Sequence, residues 1–293
     1  MRDVSAWSAS RVRRFFGSAL IVLFGGLGLV GCAPEVDAEA TRESLSQATE
    51  DPSPPDAAET YDAELHPEPI VDPVDCSPYL VVTARGMGEP TKGQLLSPVA
   101  REISESRPDD VQILDLPYPA DTDVREGGTF GVRLLIDTLN VQTDACPGQR
   151  FVLLGYSQGA LVLGDALSDP DARLVGGTAG RLESETADRI IAVVFYGNPR
   201  FNGSEEYAVG SYLPSLDGFL PRPEGSLGAY ADRARDYCVR DDFMCQSRLD
   251  LDESGHVAYY SNGMQQDGAA FVITRLDPAR GEAETGDRGP RGE

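Results

Sequence analysis

The chain is short of positive charge and of histidine. It carries 25 Lys and Arg against 48 Asp and Glu in 293 residues, a formal net charge of −23, with only two His. That deficit leaves no basic face for a phosphate backbone and argues against a nucleic-acid partner. It also restricts any imidazole base to His66 or His256. Aromatic residues are only 8%, yet hydrophobic residues reach 41%, enough for a packed core. No internal repeat is present, and the length suits one domain with additional segments.

The charge is unevenly distributed. Residues 1–31 hold four Arg and one Asp, whereas 33–75 hold thirteen acids and one Arg, net −12. Arg11, Arg13 and Arg14 precede an apolar run from Phe15 to Val30, the pattern of an export signal. The run ends in Leu29-Val30-Gly31-Cys32, which looks like the lipobox of bacterial lipoproteins, so 1–31 is expected to be a signal peptide and Cys32 the lipidated first residue. An uncleaved membrane anchor is the alternative, since the run is slightly long for a signal. Either way the remainder lies outside the membrane. Gly26, Gly28 and Gly31 fit G-x-G-x-x-G but lack a strand-then-helix setting, so no nucleotide site is expected there.

Residues 32–75 are acidic and rich in Pro, with no sustained apolar period. They read as a disordered, self-repelling tether. Their acids lack the ligand spacing of a calcium loop, and no metal site is expected. Residues 277–293, charged and Gly-rich, read as a flexible tail.

Between these segments short apolar runs alternate with amphipathic stretches. Tyr79 to Ala84, Val111 to Leu116, Phe151 to Tyr156 and Ile190 to Tyr196 read as strands, the last two apolar enough to be covered on both faces. Gln94 to Ser106, Thr129 to Thr143, Gln158 to Leu167 and a stretch from His256 towards Leu276 read as helices. Strand and helix in alternation predict an α/β fold, a mostly parallel central sheet of about five strands between helical layers. The segment from Phe201 to Tyr237 either borders the site or packs as a surface loop.

Gly155-Tyr156-Ser157-Gln158-Gly159 matches G-x-S-x-G between a predicted strand and a predicted helix. That is the setting of a nucleophile elbow, where flanking Gly allow a tight turn and the helix amino terminus favours developing negative charge. A Ser hydroxyl needs a base. His66 precedes Pro67 in the acidic segment, too mobile for that task, which leaves His256. An orienting carboxylate is expected between Ser and His in chain order. Asp241 and Asp242 stand out because Cys238 and Cys245 frame them, and a disulfide there would hold an acid rigidly. Zinc binding by those thiols lacks further ligands nearby.

Several of these features together resemble a known family. They are Cys76, Ala84-Arg85-Gly86 after the first strand, Cys146 before Ser157, the G-x-S-x-G elbow, Gly197-Asn198-Pro199-Arg200-Phe201, the Cys-x3-Asp-x2-Cys loop and His256-x-x-Tyr259. The chain resembles the cutinase-like serine esterases, including secreted actinobacterial members, over roughly residues 76–276. The resemblance implies an α/β-hydrolase three-layer sandwich, bridges Cys76–Cys146 and Cys238–Cys245, and Asp242 as the acid beside Ser157 and His256. It implies an oxyanion hole made by the backbone N–H groups of Gln158 and Met87. Fungal members carry Ser or Thr where this chain has Met87, so a side-chain donor is missing.

The expectation is a lipid-anchored, extracellular serine carboxylic-ester hydrolase without a cofactor, acting as a monomer. Its substrates would be esters of the lipid, polyester or acetylated-polysaccharide type. Two alternatives remain open: acyl transfer to a sugar or lipid acceptor, or a catalytically impaired cell-surface binding module.

Overall fold

The apolar runs become the centre of a sheet because both of its faces are covered. The computed structural model describes residues 37–49, 56–247 and 250–278. In chain order its elements are α1 (Ala38–Gln47), α2 (Ala57–Thr60), β1 (Tyr79–Ala84), α3 (Leu96–Ser106), β2 (Val111–Asp115), α4 (Val124–Ala145), β3 (Arg150–Tyr156), α5 (Gln158–Leu167), α6 (Ser184–Asp188), β4 (Ile190–Tyr196), β5 (Ala208–Gly210), β6 (Ala234–Cys238), α7 (Ser254–Val257) and α8 (Met264–Ile273). The described residues contain one six-stranded sheet in the order β2-β1-β3-β4-β6-β5. Every pairing in it is parallel.

Successive strand residues point to opposite faces. Leu80, Val82, Phe151, Leu153, Val193 and Phe195 therefore join one buried cluster with α4 and α5. Val81, Val152, Leu154, Ala192 and Val194 join another with α3 and α8. All eleven are fully buried. Burial of each larger side chain is worth roughly 1.5–3 kcal/mol, which is why these strands have no polar face.

The sheet has one strand more than expected. β5 is three residues long and β6 reads Ala-Arg-Asp-Tyr-Cys, so neither shows as an apolar run. The structure places Asp236 of β6 inside, 2% exposed, where its Oδ2 accepts a hydrogen bond from Asn198 Nδ2 at 2.8 Å. α4 begins at Val124 rather than Thr129; Asp123 caps it by accepting from the Glu126 N–H, which carries the helix through Gly127 and Gly128.

The expectation of a disordered tether is corrected for the described part of 32–75. Asp37 caps α1, whose Ala38 and Leu45 are buried in the core cluster of α4 and α5. Asp56 caps α2. Farther on, Asp137 Oδ2 and Gln142 Oε1 of α4 accept from the Ile70 and Val74 N–H groups. Arg133, paired with Asp137, donates to the carbonyls of His66 and Glu68. Several acids thus serve as caps and acceptors instead of repelling one another. Of the expected tail, Asp277 is held by Arg107, Arg150 and the Tyr79 hydroxyl. The expected signal and Cys32 lie outside the described residues, among which no helix is long and apolar enough to cross a membrane.

Candidate active site

The sheet creates a site where its strand order turns back on itself. The chain runs from β1 outward to β2 and then returns to β3 on the other side of β1. In open parallel sheets the carboxyl ends of such strands leave a crevice. Ala84 is in register with Gly155, so the turn after β1 and the turn after β3 lie side by side.

Ser157 occupies the second turn with φ 52° and ψ −121°. A side chain seldom adopts that backbone, and holding it there costs on the order of 1–3 kcal/mol. The flanking glycines make the turn feasible. A Cβ on Gly159 would sit 1.9 Å from the Ala84 carbonyl oxygen, and one on Gly155 would sit 2.7 Å from Ala160 Cα. Ser157 is thereby held above the first turn of α5, whose amino end favours negative charge.

His256, on the short helix α7, completes a line of hydrogen bonds. Its Nε2 is 2.8 Å from Ser157 Oγ, and its Nδ1 is 2.9 and 3.1 Å from the two carboxylate oxygens of Asp242. With Asp242 ionised, Nδ1 carries the proton and Nε2 accepts from the Ser157 hydroxyl. The ring is fixed on both sides: Tyr156 stacks on it at 5.1 Å and Phe243 meets it edgewise at 5.2 Å. Tyr156 also donates its hydroxyl to the His256 carbonyl at 2.9 Å.

Asp242 lies in the loop closed by the Cys238–Cys245 disulfide; the second disulfide joins Cys76 to Cys146. Burial by itself would push the Asp242 carboxyl up. The charge and hydrogen bond of His256, the Tyr259 hydroxyl at 2.7 Å and the Met244 N–H at 2.7 Å overcome that and hold it below its ordinary value. Asp241, its neighbour, is exposed. His66 is exposed too, in a segment that is anchored through its backbone.

The turn after β1 carries the other expected donor. Glu89 Oε2 accepts from the Gly86 N–H at 2.7 Å and Oε1 from the Leu95 N–H at 2.8 Å; the Tyr260 hydroxyl also donates to Oε1. Gly88 N–H donates to the Ala120 carbonyl at 2.8 Å. Between those two tethered groups, the Met87 N–H meets no acceptor among the described residues, and neither does that of Gln158. Both are available to an oxygen outside the protein.

The structure thus brings Ser157, His256 and Asp242 together and puts Met87 and Gln158 on the adjoining turns. The residues that hold them escape sequence reasoning. Tyr156, Phe243 and Glu89 act through tertiary contacts, whereas Tyr259 left a trace in the His256-x-x-Tyr259 spacing. Among the described residues no three His, Cys, Asp or Glu side chains gather as a metal site.

Comparison with known proteins agrees with this geometry. The sequence model of the cutinase family matches residues 75–276. A cutinase from Kineococcus radiotolerans is 33% identical over 199 residues, 67% of this chain and 61% of that protein, so the match spans under two thirds of the relative. Carboxylesterase Culp1 of Mycobacterium tuberculosis is 28% identical over 213 residues, 70% of this chain and 84% of that one. The catalytic core of an acetyl xylan esterase from Trichoderma reesei superposes with TM-score 0.60 at 25% identity, covering 69% of this chain and all of that domain. The chain belongs to the cutinase family.

Proposed function

We propose that the chain is an exported carboxylic-ester hydrolase that works through an acyl-enzyme. The observation that carries this reading is the continuous line of hydrogen bonds from Ser157 Oγ through His256 to Asp242. In this mechanism Ser157 Oγ bonds to the ester carbonyl carbon while its proton passes to His256 Nε2. The negative charge then on the carbonyl oxygen is met by the N–H groups of Gln158 and Met87. When the tetrahedral intermediate collapses, the C–O bond to the alcohol breaks and the alcohol leaves with the His256 proton. Water, deprotonated by the same nitrogen, attacks the acyl-enzyme, and the acid departs as Ser157 regains its hydrogen. Asp242 keeps its charge throughout and stabilises the imidazolium.

Met87 offers no side-chain hydroxyl to the oxyanion. Loss of one such donor costs roughly 10²- to 10³-fold where it contributes, so turnover is expected to be modest. The relatives' names point to carboxylic esters as the substrate class, acetylated xylan among them. Two disulfides fit an oxidising compartment outside the cytoplasm. They leave Cys32 as the odd cysteine, in keeping with a lipid anchor there.

The test is covalent labelling with a fluorophosphonate, located by peptide mass spectrometry, together with hydrolysis of p-nitrophenyl esters of increasing chain length. Ser157 should carry the label, and Ser157→Ala should lose hydrolysis. Absence of labelling under conditions that label another serine esterase would overturn the reading. Product analysis with a sugar or lipid acceptor present separates hydrolysis from acyl transfer, and a binding module would yield neither product. Retention of an alkyne-fatty-acid label by the parent and its loss in Cys32→Ala tests the anchor.

A further inference from the structure

α1 stands outside the region that the family model matches, yet it touches both rims of the site. On one side, Arg42 Nη2 donates to the Phe243 carbonyl at 2.9 Å, and the guanidinium lies 5.0 Å from the Phe219 ring centroid and 5.8 Å from that of Phe243. Phe243 is the residue whose ring meets the His256 imidazole, and it adjoins Asp242. On the other side, Arg125 Nη2 donates to the Ala48 carbonyl at 2.9 Å, just past the end of α1. A cavity of about 170 Å³ separates Ser44, Gln47 and Ala48 from Thr122 to Arg125. That second rim leads into the oxyanion turn through the bond from Gly88 N–H to the Ala120 carbonyl. Leu45, 2% exposed, belongs to the same buried cluster as Phe243, Ala120 and Val124, against which Met87 packs.

The helix therefore bridges the two segments that flank Ser157. Ser157 is 4% exposed and His256 1% exposed. A substrate carbonyl must come within about 3–3.5 Å of Oγ to react, so these surroundings have to yield. The covered arrangement also strands a polar group beside the nucleophile. Gln158 is 2% exposed, and neither its side-chain oxygen nor its nitrogen has a hydrogen-bond partner among the described residues. A buried amide without partners is unfavourable, and water or a polar substrate group relieves it once the site opens.

The hold of α1 is suited to release. Its buried residues are Ala38, Thr41, Ser44 and Leu45, of which only Leu45 is a large apolar side chain. Its polar ties to the rims include the bonds made by Arg42 and accepted by Ala48. By contrast, the backbone of the segment from His66 to Val74 is fastened to α4 by hydrogen bonds with Arg133, Asp137 and Gln142, the first two forming a buried ion pair within that helix. Release of α1 can thus leave the domain intact.

We propose that α1 is a removable cover of the Ser157 site: an intramolecular occupant, seated between the Phe243 loop and the amino end of α4, that must leave before an ester can reach the nucleophile. This rests on the reading of Ser157 as nucleophile, and the test separates the two. In the full chain carrying Ser157→Cys, the rate of alkylation at position 157 by a small maleimide is followed by peptide mass spectrometry, a readout that needs no catalysis. Leu45→Asp, which puts a charge where α1 is buried, should raise that rate at least about fivefold, as should Arg42→Ala more weakly, by shifting the helix towards its undocked state. Both variants should keep the parent's cooperative thermal unfolding, and the parent should show the same gain when α1 is removed by cleavage after Thr49 at an engineered protease site. Equal alkylation rates in parent, variants and cleaved chain would overturn the cover. Failure of fluorophosphonate labelling in chains with Ser157 intact would count against the esterase reading alone.

Discussion

Tyr259 donates its hydroxyl to Asp242 Oδ2 at 2.7 Å while accepting from the Val239 N–H at 3.2 Å. One buried phenol thus ties the start of the Cys238–Cys245 loop to the carboxylate inside it. Burial, followed by the charge of Asp242 and its hydrogen bond, pushes the Tyr259 hydroxyl well above its usual range, so it remains a donor.

Tyr259→Phe is expected to remove one of the groups that hold Asp242 ionised and to leave the Val239 N–H without its acceptor. The stability loss near neutral pH should be about 1–3 kcal/mol. Asp242 is depressed in the folded state, so its contribution is full above its unfolded value, near 3.8, and disappears as pH falls through the lower folded value. Denaturant unfolding at pH 7 and pH 3 checks this: the gap between parent and variant should narrow at the acid end.

Glu89→Gln probes the oxyanion turn. Glu89 accepts from two backbone N–H groups and a phenol; Gln offers only one acceptor atom, and its NH₂ faces a donor. The turn bearing Met87 should loosen while the substrate surface stays in place. We expect kcat to fall roughly 10- to 100-fold, below the full loss of an oxyanion donor, with KM within about twofold. Affinity for a trifluoromethyl ketone, which forms the tetrahedral adduct, should fall in parallel with kcat/KM. A purely structural defect would lower the melting temperature without that parallel.

Legibility in the sequence follows the range of the interactions involved. β1, β3 and β4 are visible because a strand buried on both faces has to be apolar along its length. β6 is hidden because Arg235 and Asp236 interrupt it, and the buried Asp236 has its hydrogen-bonding partner in Asn198, which comes from the distant turn after β4. Ser157 and His256 stand out through a local pattern and the scarcity of histidine. Asp242 could be separated from Asp241 only by family resemblance, since the distinction is one of exposure. α1 is concealed by composition, because Leu45 is its one large buried apolar residue.

Asp236 should make the protein less stable as pH rises. Burial pushes its carboxyl up to about 7, against the opposing hydrogen bond of Asn198 and charge of Arg222, with Asp242 adding to the rise. Between the unfolded value of 3.8 and about 7 the folded protein keeps a proton that the unfolded chain has lost, so stability falls across that interval. The change is on the order of 2–4 kcal/mol. Melting temperatures from pH 5 to 8 should decline in the parent, and Asp236→Asn, which cannot ionise, should flatten the slope.

The two disulfides should separate stability from activity. Cys76 and Cys146 are 70 residues apart, and loop-closure entropy makes their bridge worth about 4 kcal/mol; Cys238 and Cys245 are 7 apart, worth about 2 kcal/mol. The shorter loop, however, contains Asp242, which accepts there from the Met244 and Cys245 N–H groups. Replacing Cys238 and Cys245 with Ala should therefore cost the smaller share of stability and the larger share of turnover, about 10-fold or more in kcat as the imidazole loses its fixed partner. Replacing Cys76 and Cys146 should lower the unfolding free energy further yet leave kcat per folded molecule nearly unchanged. Denaturant unfolding and active-site titration of both double variants measure the two quantities. If the Cys238 and Cys245 variant kept full turnover, Asp242 would be held by Tyr259 and its backbone donors alone.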